Sequence, residues 1–238
     1  MPEVKTRSTA DVKRFPGAVT IRVLAALLGY PDAQLRSHLP EMRTLLREER
    51  ALPPARLLEI EALMRSLQTA EPLECEAAYV ELFDSRRATS LHLFEHVHGD
   101  SRDRGPAMID LGQTYEKAGL ILNEGELPDY LPAVLEFVST QPAREAKAFL
   151  GEIGHLLNAI FGALEERGSA YASVLGALLE LSGQKVKPVA PAAELPVDET
   201  WAEPAAFDGC STQGQARPGQ PQPIHIIRKN NIAQGATP

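Results

Sequence analysis

His92, Glu95 and His96 fall in the spacing H-x-x-E-H, inside a run LHLFEHVHGD that also supplies His98 and Asp100. On a helix this spacing sets two imidazoles about one turn apart, where they can hold a zinc ion while the glutamate positions the attacking water, the inverted zinc-peptidase arrangement. A catalytic zinc needs a third protein ligand. Glu165 and Glu166 are the downstream candidates, but they stand where a helix is expected to end in a solvated charged pair. A second chemistry uses the same residues without a metal. Asp84, Arg86, Arg87, Glu95, Asp100, Arg102, Asp103 and Arg104 alternate in sign around the imidazoles, flanked by apolar helical faces. Such a surface suits an amphipathic helix whose apolar side enters a groove and whose basic side meets the acids. Exposed ion pairs contribute only about 0–1 kcal/mol each, so a face of this kind serves recognition more than stability. No glycine-rich phosphate loop, nucleophile elbow, or cysteine with a matching histidine and acid is present. The residues favour a peptide-binding face with no catalytic residue, metal or cofactor, with a zinc-dependent hydrolase on His92, Glu95 and His96 as the alternative.

The elements that must position this run read as helices. Val19, Val23, Leu24, Leu27 and Leu28 recur at helical spacing until Gly29 and Pro31 stop them. Asp32 can cap a second helix that Pro40 is expected to interrupt at Leu39, with Leu45 and Leu46 beyond it and the charged run Arg47 to Arg50 as solvated surface. Pro53-Pro54 opens a helix with Leu57, Leu58, Ile60, Leu63, Met64 and Leu67 as a broad apolar face. Pro72 restarts the chain into a helix carrying Ala78, Tyr79, Leu82 and Phe83. After the central run, Met108, Leu111, Tyr115 and Ala118 predict a helix starting near Gly105, because Pro106 is tolerated only in a first turn. Asn123 to Glu126 is a turn, Pro128-Asp129 initiates a helix through Val138, Ala143 to Arg167 reads as one long helix, and a last helix runs from about Ser169 to Gly183. No run of period-two alternation interrupts them, so the fold class is all-α, a single-domain helical bundle.

Composition bounds the rest. The 238 residues, 44% of them hydrophobic, suffice for one core with a long tail. A net charge of −8 disfavours nucleic acid, whose binding needs a basic surface, and suits a basic partner. Residues 1–17 read as a flexible arm, 18–183 as the helical domain, and 184–238 as a disordered tail that holds eight of the 19 prolines. The tail carries five acids and five bases, so the whole net charge belongs to the part before it. Two cysteines build no disulfide framework. No secretory segment and no run of roughly 20 apolar residues is present, which predicts a cytoplasmic protein without direct membrane insertion.

YVELFDSRRATSLHLFEHVHGDSRDRG, followed by MIDLGQTYEKAGL and ELPDYLPAVLEFV, resembles the NarJ-type nitrate reductase assembly chaperones, also called delta subunits, relatives of the TorD and DmsD redox-enzyme maturation proteins. LLGYPD upstream and QPIHIIRK near the end agree with that likeness, which covers most of residues 19–182. The resemblance implies an all-helical cytoplasmic chaperone, not an enzyme, that binds the N-terminal segment of the apo catalytic (alpha) subunit of respiratory nitrate reductase and supports molybdenum cofactor insertion and complex assembly, in contact with cofactor-delivery proteins. Carried over by position, its aromatic-x-x-Leu-Phe element falls on Tyr79, Leu82 and Phe83, and its Pro-Asp-aromatic-Leu element on Pro128, Asp129, Tyr130 and Leu131; the resemblance implies that both border a peptide groove. Tyr130 stands where relatives often carry His, and Pro106 where a helix-compatible residue is common. The expected binding set is Tyr79, Leu82, Phe83, Tyr130 and Leu131 for apolar contact, and Glu95, Asp100 and Asp129 for the cations of a basic leader. His92, His96 and His98 stand near those acids, where their charging between about pH 5 and 8 would weaken the local negative potential.

Overall fold

Apolar residues at three- and four-residue intervals fold into ten α-helices across residues 15–98, 102–123 and 125–184, the residues described by a computed structural model. They are α1 (Ala18–Leu27), α2 (Ala33–Glu49), α3 (Pro54–Thr69), α4 (Pro72–Phe83), α5 (Leu93–Val97), α6 (Arg104–Lys117), α7 (Leu131–Thr140), α8 (Ala143–Glu152), α9 (Gly154–Glu166) and α10 (Ala172–Ser182), with a 3-10 turn at Arg87–Thr89. No strand occurs among the described residues, as the helical periodicity predicts. The N-terminal arm before Phe15 and the proline-rich segment after Gln184 lie outside them. Phe15 itself is buried in the core, so the packed part starts ahead of the boundary read from Pro16-Gly17.

Three helices are apolar nearly all round and so must lie inside the others. α1 buries Ile21, Leu24 and Leu27 completely, α7 buries eight of its 10 residues, and α10 buries nine of its 11. α1 packs on α7 and α2, α10 packs on α9, α3 and α8, and one continuous cluster of buried side chains joins them. Truncating any of the fully buried leucines to alanine would cost about 2–5 kcal/mol. Gly17 makes the entrance to α1 possible: its φ of 108° is left-handed, and a β-carbon there would meet Leu181 Cδ2 at 3.3 Å.

Four local expectations are corrected by packing. Asp32 caps α2 through Leu35 N at 2.7 Å, but the helix runs straight through Pro40. Leu35, Leu39 and Leu46 bury one face along its whole length, and Pro40 lies on the exposed side, where water can take the carbonyl that proline leaves unpaired. The charged run at the end of α2 is structural, not merely solvated: the Glu49 carboxylate accepts from Val19 N at 3.1 Å and Thr20 N at 2.5 Å at the start of α1, and Arg47 donates to Glu61 at 2.6 and 2.8 Å. Glu61 takes a buried place on α3, whereas Leu58 is 63% exposed. The long helix expected from Ala143 breaks at Ile153, between Gly151 and Gly154, both weak helix formers. Gln184 fills the gap, with its Nε2 donating to Gly151 O at 3.2 Å and its Cδ standing 2.9 Å from where a β-carbon on Gly154 would be.

Candidate functional site

The site begins with two aromatic residues one turn apart on the inner face of α4. Tyr79 and Phe83 are the buried residues of that helix, and their rings meet at 4.8 Å. Tyr79 is held by its hydroxyl, which donates to Leu28 O at 2.8 Å and lies 3.1 Å from the Tyr130 hydroxyl. Tyr30 packs edge-on against Tyr79 at 5.6 Å, and Tyr171 against Phe83 at 5.1 Å. Burial raises the pKa of Tyr79, Tyr130 and Tyr171, so these phenols stay neutral.

Asp129 ties the second half of the site together. Leu91–Leu93 and Asp129–Leu131 pair as a minimal antiparallel bridge, with Leu131 N donating to Leu91 O at 2.8 Å and Leu93 N to Asp129 O at 3.0 Å. The Asp129 side chain is fully buried. Its Oδ2 accepts from Phe94 N at 3.1 Å, capping α5 instead of the helix that follows it in sequence. Its Oδ1 is 3.3 Å from His92 Nδ1, and Arg104 stands 3.9 Å away. α7 therefore begins after Tyr130 with no side-chain cap, a correction to the helix start expected at Pro128-Asp129. The Asp129 hydrogen bond raises the His92 pKa against the opposing effect of burial.

This geometry removes support for the zinc arrangement. α5 spans only five residues and His92 precedes it, so the two imidazoles do not share a helical face. His92 Nδ1 is turned to Asp129, and His96 Nε2 lies 2.8 Å from Ser90 O. No group of three His, Cys, Asp or Glu able to hold a metal occurs among the described residues.

A cleft of about 420 Å³ opens over the aromatic floor, between the α1–α2 turn, α4 and the loop ahead of α7. Tyr79, Phe83, His92 and Tyr130 line it, joined by Tyr30, Leu91 and Leu127. Tyr30 and Leu127 are 46% and 44% exposed. Asp84 and Glu126 are its acids, and among the described residues no lysine or arginine lines it. The other expected residues fall elsewhere. Leu131 and Asp129 are fully buried behind the cleft wall and hold it from within. Leu82 packs half-buried against the core. Glu95 lines a neighbouring polar cavity with Arg87 and Arg104; its backbone carbonyl accepts from Arg87 at 2.8 and 3.1 Å, and its carboxylate is 3.7 Å from Arg104. His96 and His98 line neither cavity, the His98 ring lying edge-on to Phe94 at 5.3 Å. Asp100 lies outside the described residues. Tyr30, Leu127 and Glu126 are among the lining residues that periodicity does not reveal, although Tyr30 sits in the LLGYPD run.

The fold and site thus define an all-helical protein whose apolar cleft is lined with acids and, within the described residues, lacks a converging catalytic set. The chain belongs to the nitrate reductase delta subunit family, whose family model matches residues 33–175. It is 43% identical over 168 residues, 71% of each chain, to the nitrate reductase molybdenum cofactor assembly chaperone NarJ of Escherichia coli. It is 38% identical over 166 residues, 70% of this chain and 69% of the other, to NarW of the same organism. To the NarJ protein of Bacillus subtilis it is 31% identical over 166 residues, 68% of this chain and 86% of the other. These relatives carry the names of assembly chaperones, not of catalysts. A crystal structure described as that of a redox enzyme maturation protein from Archaeoglobus fulgidus matches with a TM-score of 0.52 at 18% identity, covering 77% of this chain and 100% of that one, which is a likeness of fold. No described helix is long and apolar enough to cross a membrane.

Proposed function

We propose that the protein is a cytoplasmic chaperone that holds the N-terminal segment of the apo catalytic subunit of nitrate reductase while molybdenum cofactor is inserted and the complex is assembled. One observation carries this reading: the cleft over Tyr79 and Phe83 is lined by aromatic and aliphatic side chains, carries carboxylates at Asp84 and Glu126, and among the described residues has no lysine or arginine on its walls. An amphipathic helix with a basic flank matches it on both counts, its apolar side entering between Tyr30 and Leu127 and its cations facing the acids. The names borne by the relatives point to nitrate reductase as the enzyme being assembled. In this reading Tyr79, Phe83, His92 and Tyr130 form the contact surface, and Asp129 and Leu131 hold the wall in place.

The test is co-purification of the full chain with the apo catalytic subunit, intact and lacking its N-terminal segment, followed by molybdenum determination on the subunit. Capture of the intact form alone is expected, with molybdenum content falling when Leu127→Asp and Tyr30→Ala are combined in the chaperone. Leu58→Asp, on the exposed side of α3, serves as the control that leaves both readouts unchanged. Equal capture of the two forms of the subunit would reject the reading.

A further inference from the structure

α4 is built with two apolar sides and uses only one of them. Its sequence PLECEAAYVELF buries Tyr79 and Phe83. On another side Leu73, Ala77 and Val80 recur at i, i+4 and i+7, with Leu73 78% and Val80 40% exposed. Single exposed apolar residues are ordinary on a protein surface. Three at helical spacing form a stripe, the pattern that a helix presents to a partner. Together with Tyr30 they floor a shallow groove lined by Glu76 and Glu81, again without lysine or arginine among the described residues. This groove adjoins the cleft across the Tyr30 ring, which lines both. Tyr30 is fixed in that position: its hydroxyl donates to Glu76 Oε2 at 3.0 Å, and its ring stands edge-on to Tyr79.

We infer that the outer face of α4 is a second seat for the client segment, taking the turns of a basic amphipathic helix that continue beyond the cleft. The inference rests on the proposed function of the cleft and extends its footprint. The occupant needs apolar residues at i, i+3 or i+4, and i+7 to meet Leu73, Ala77 and Val80, with lysine or arginine beside them to meet Glu76 and Glu81. A second copy of this chain is the poorer match, since pairing two such faces sets carboxylates against carboxylates in a protein already carrying −8. The 12 residues of α4 offer a track of about 18 Å, which sets the added length of client at about 12 helical residues.

The test uses two fluorescently labelled peptides from the N-terminus of the nitrate reductase catalytic subunit, a short one and one longer by about 12 residues, titrated with the full chain and with Leu73→Ser/Val80→Ser. Both substituted residues are on the surface, and circular dichroism before and after heating checks that the variant retains the fold. The long peptide is expected to bind the unaltered chain about tenfold more tightly than the short one, and the variant to lose that advantage while binding the short peptide normally. Equal affinity of the long peptide for variant and unaltered chain overturns the second seat while leaving the cleft assignment standing. A variant that loses self-association in sedimentation instead of affinity for the long peptide assigns the face to a second copy and also overturns it. If neither peptide binds the unaltered chain, both the cleft assignment and its extension fall.

Discussion

Replacing Asp129 with Asn keeps the shape of the side chain and removes its charge at the point where α5, α6 and α7 meet. In the native protein this fully buried carboxylate accepts from Phe94 N at 3.1 Å, faces His92 Nδ1 at 3.3 Å, and lies 3.9 Å from Arg104. The amide retains one oxygen for Phe94 but presents NH2 or an uncharged oxygen to His92, so one charge-assisted hydrogen bond is lost at a cost of about 1.5–3 kcal/mol. The Arg104 contact adds little, being long and partly solvated. Asp129→Ala deletes both acceptors and leaves the Phe94 amide unpaired, raising the cost to about 3–5 kcal/mol. Urea denaturation at fixed pH reads this as a lower midpoint with an unchanged slope. A second signature separates the charge from the packing. Asp129 is the largest cause of the raised His92 pKa, and a folded-state pKa above the unfolded value contributes stability that is present below the unfolded pKa of about 6.5 and lost as pH rises through the folded one. The unaltered protein therefore loses stability across that rise, and the Asn variant shows a flatter profile. An unchanged midpoint, or an identical pH profile in the two proteins, would refute this role for Asp129.

Other perturbations test the scaffold. Arg47 holds the buried Glu61 carboxylate below its usual range, so that stabilisation is present above the unfolded pKa and lost as pH falls through the lowered folded value; Glu61→Gln should flatten acid unfolding followed by circular dichroism, and Arg47→Ala should lower the urea midpoint by removing the donor that meets this carboxylate at 2.6 and 2.8 Å. Pro40→Ala restores a donor to the middle of α2 on its exposed side and should stabilise the protein by about 1–3 kcal/mol, read as a higher melting temperature. Glu49→Ala removes the acceptor for Val19 N and Thr20 N and should cost about 1 kcal/mol in the same assay.

Helices with a clear apolar period were legible in the sequence, and with them the placement of Tyr79 and Phe83 on one buried face of α4. Contacts made across long sequence separations were not. The Asp129 carboxylate reads locally as a helix cap, yet it serves Phe94, 35 residues earlier, because the bridge between Leu91–Leu93 and Asp129–Leu131 brings the two loops together. That same bridge holds His92 ahead of α5, which is why a spacing that suggests two zinc ligands on one turn yields two imidazoles with separate partners. Glu61 and Glu49 look like surface charge until their partners on α2 and α1 are known. Tyr30 lies in a turn, where no periodicity marks a residue as facing a cleft, and only its ring contact with Tyr79 reveals its role. The tilt of the apolar face of α7 is set by tertiary packing, so Leu131 lies in the core behind the residue beside it, Tyr130, which reaches the cleft.

Calorimetric titration of the full chain with a peptide from the N-terminus of the nitrate reductase catalytic subunit tests the central claim most directly. Saturable one-to-one binding is predicted, weakened by added salt because the acids of the cleft attract the peptide's cations, and reduced at least about tenfold when Tyr30→Ala and Leu127→Asp remove the two exposed walls. Absence of binding, or an affinity indifferent to both substitutions, would contradict it.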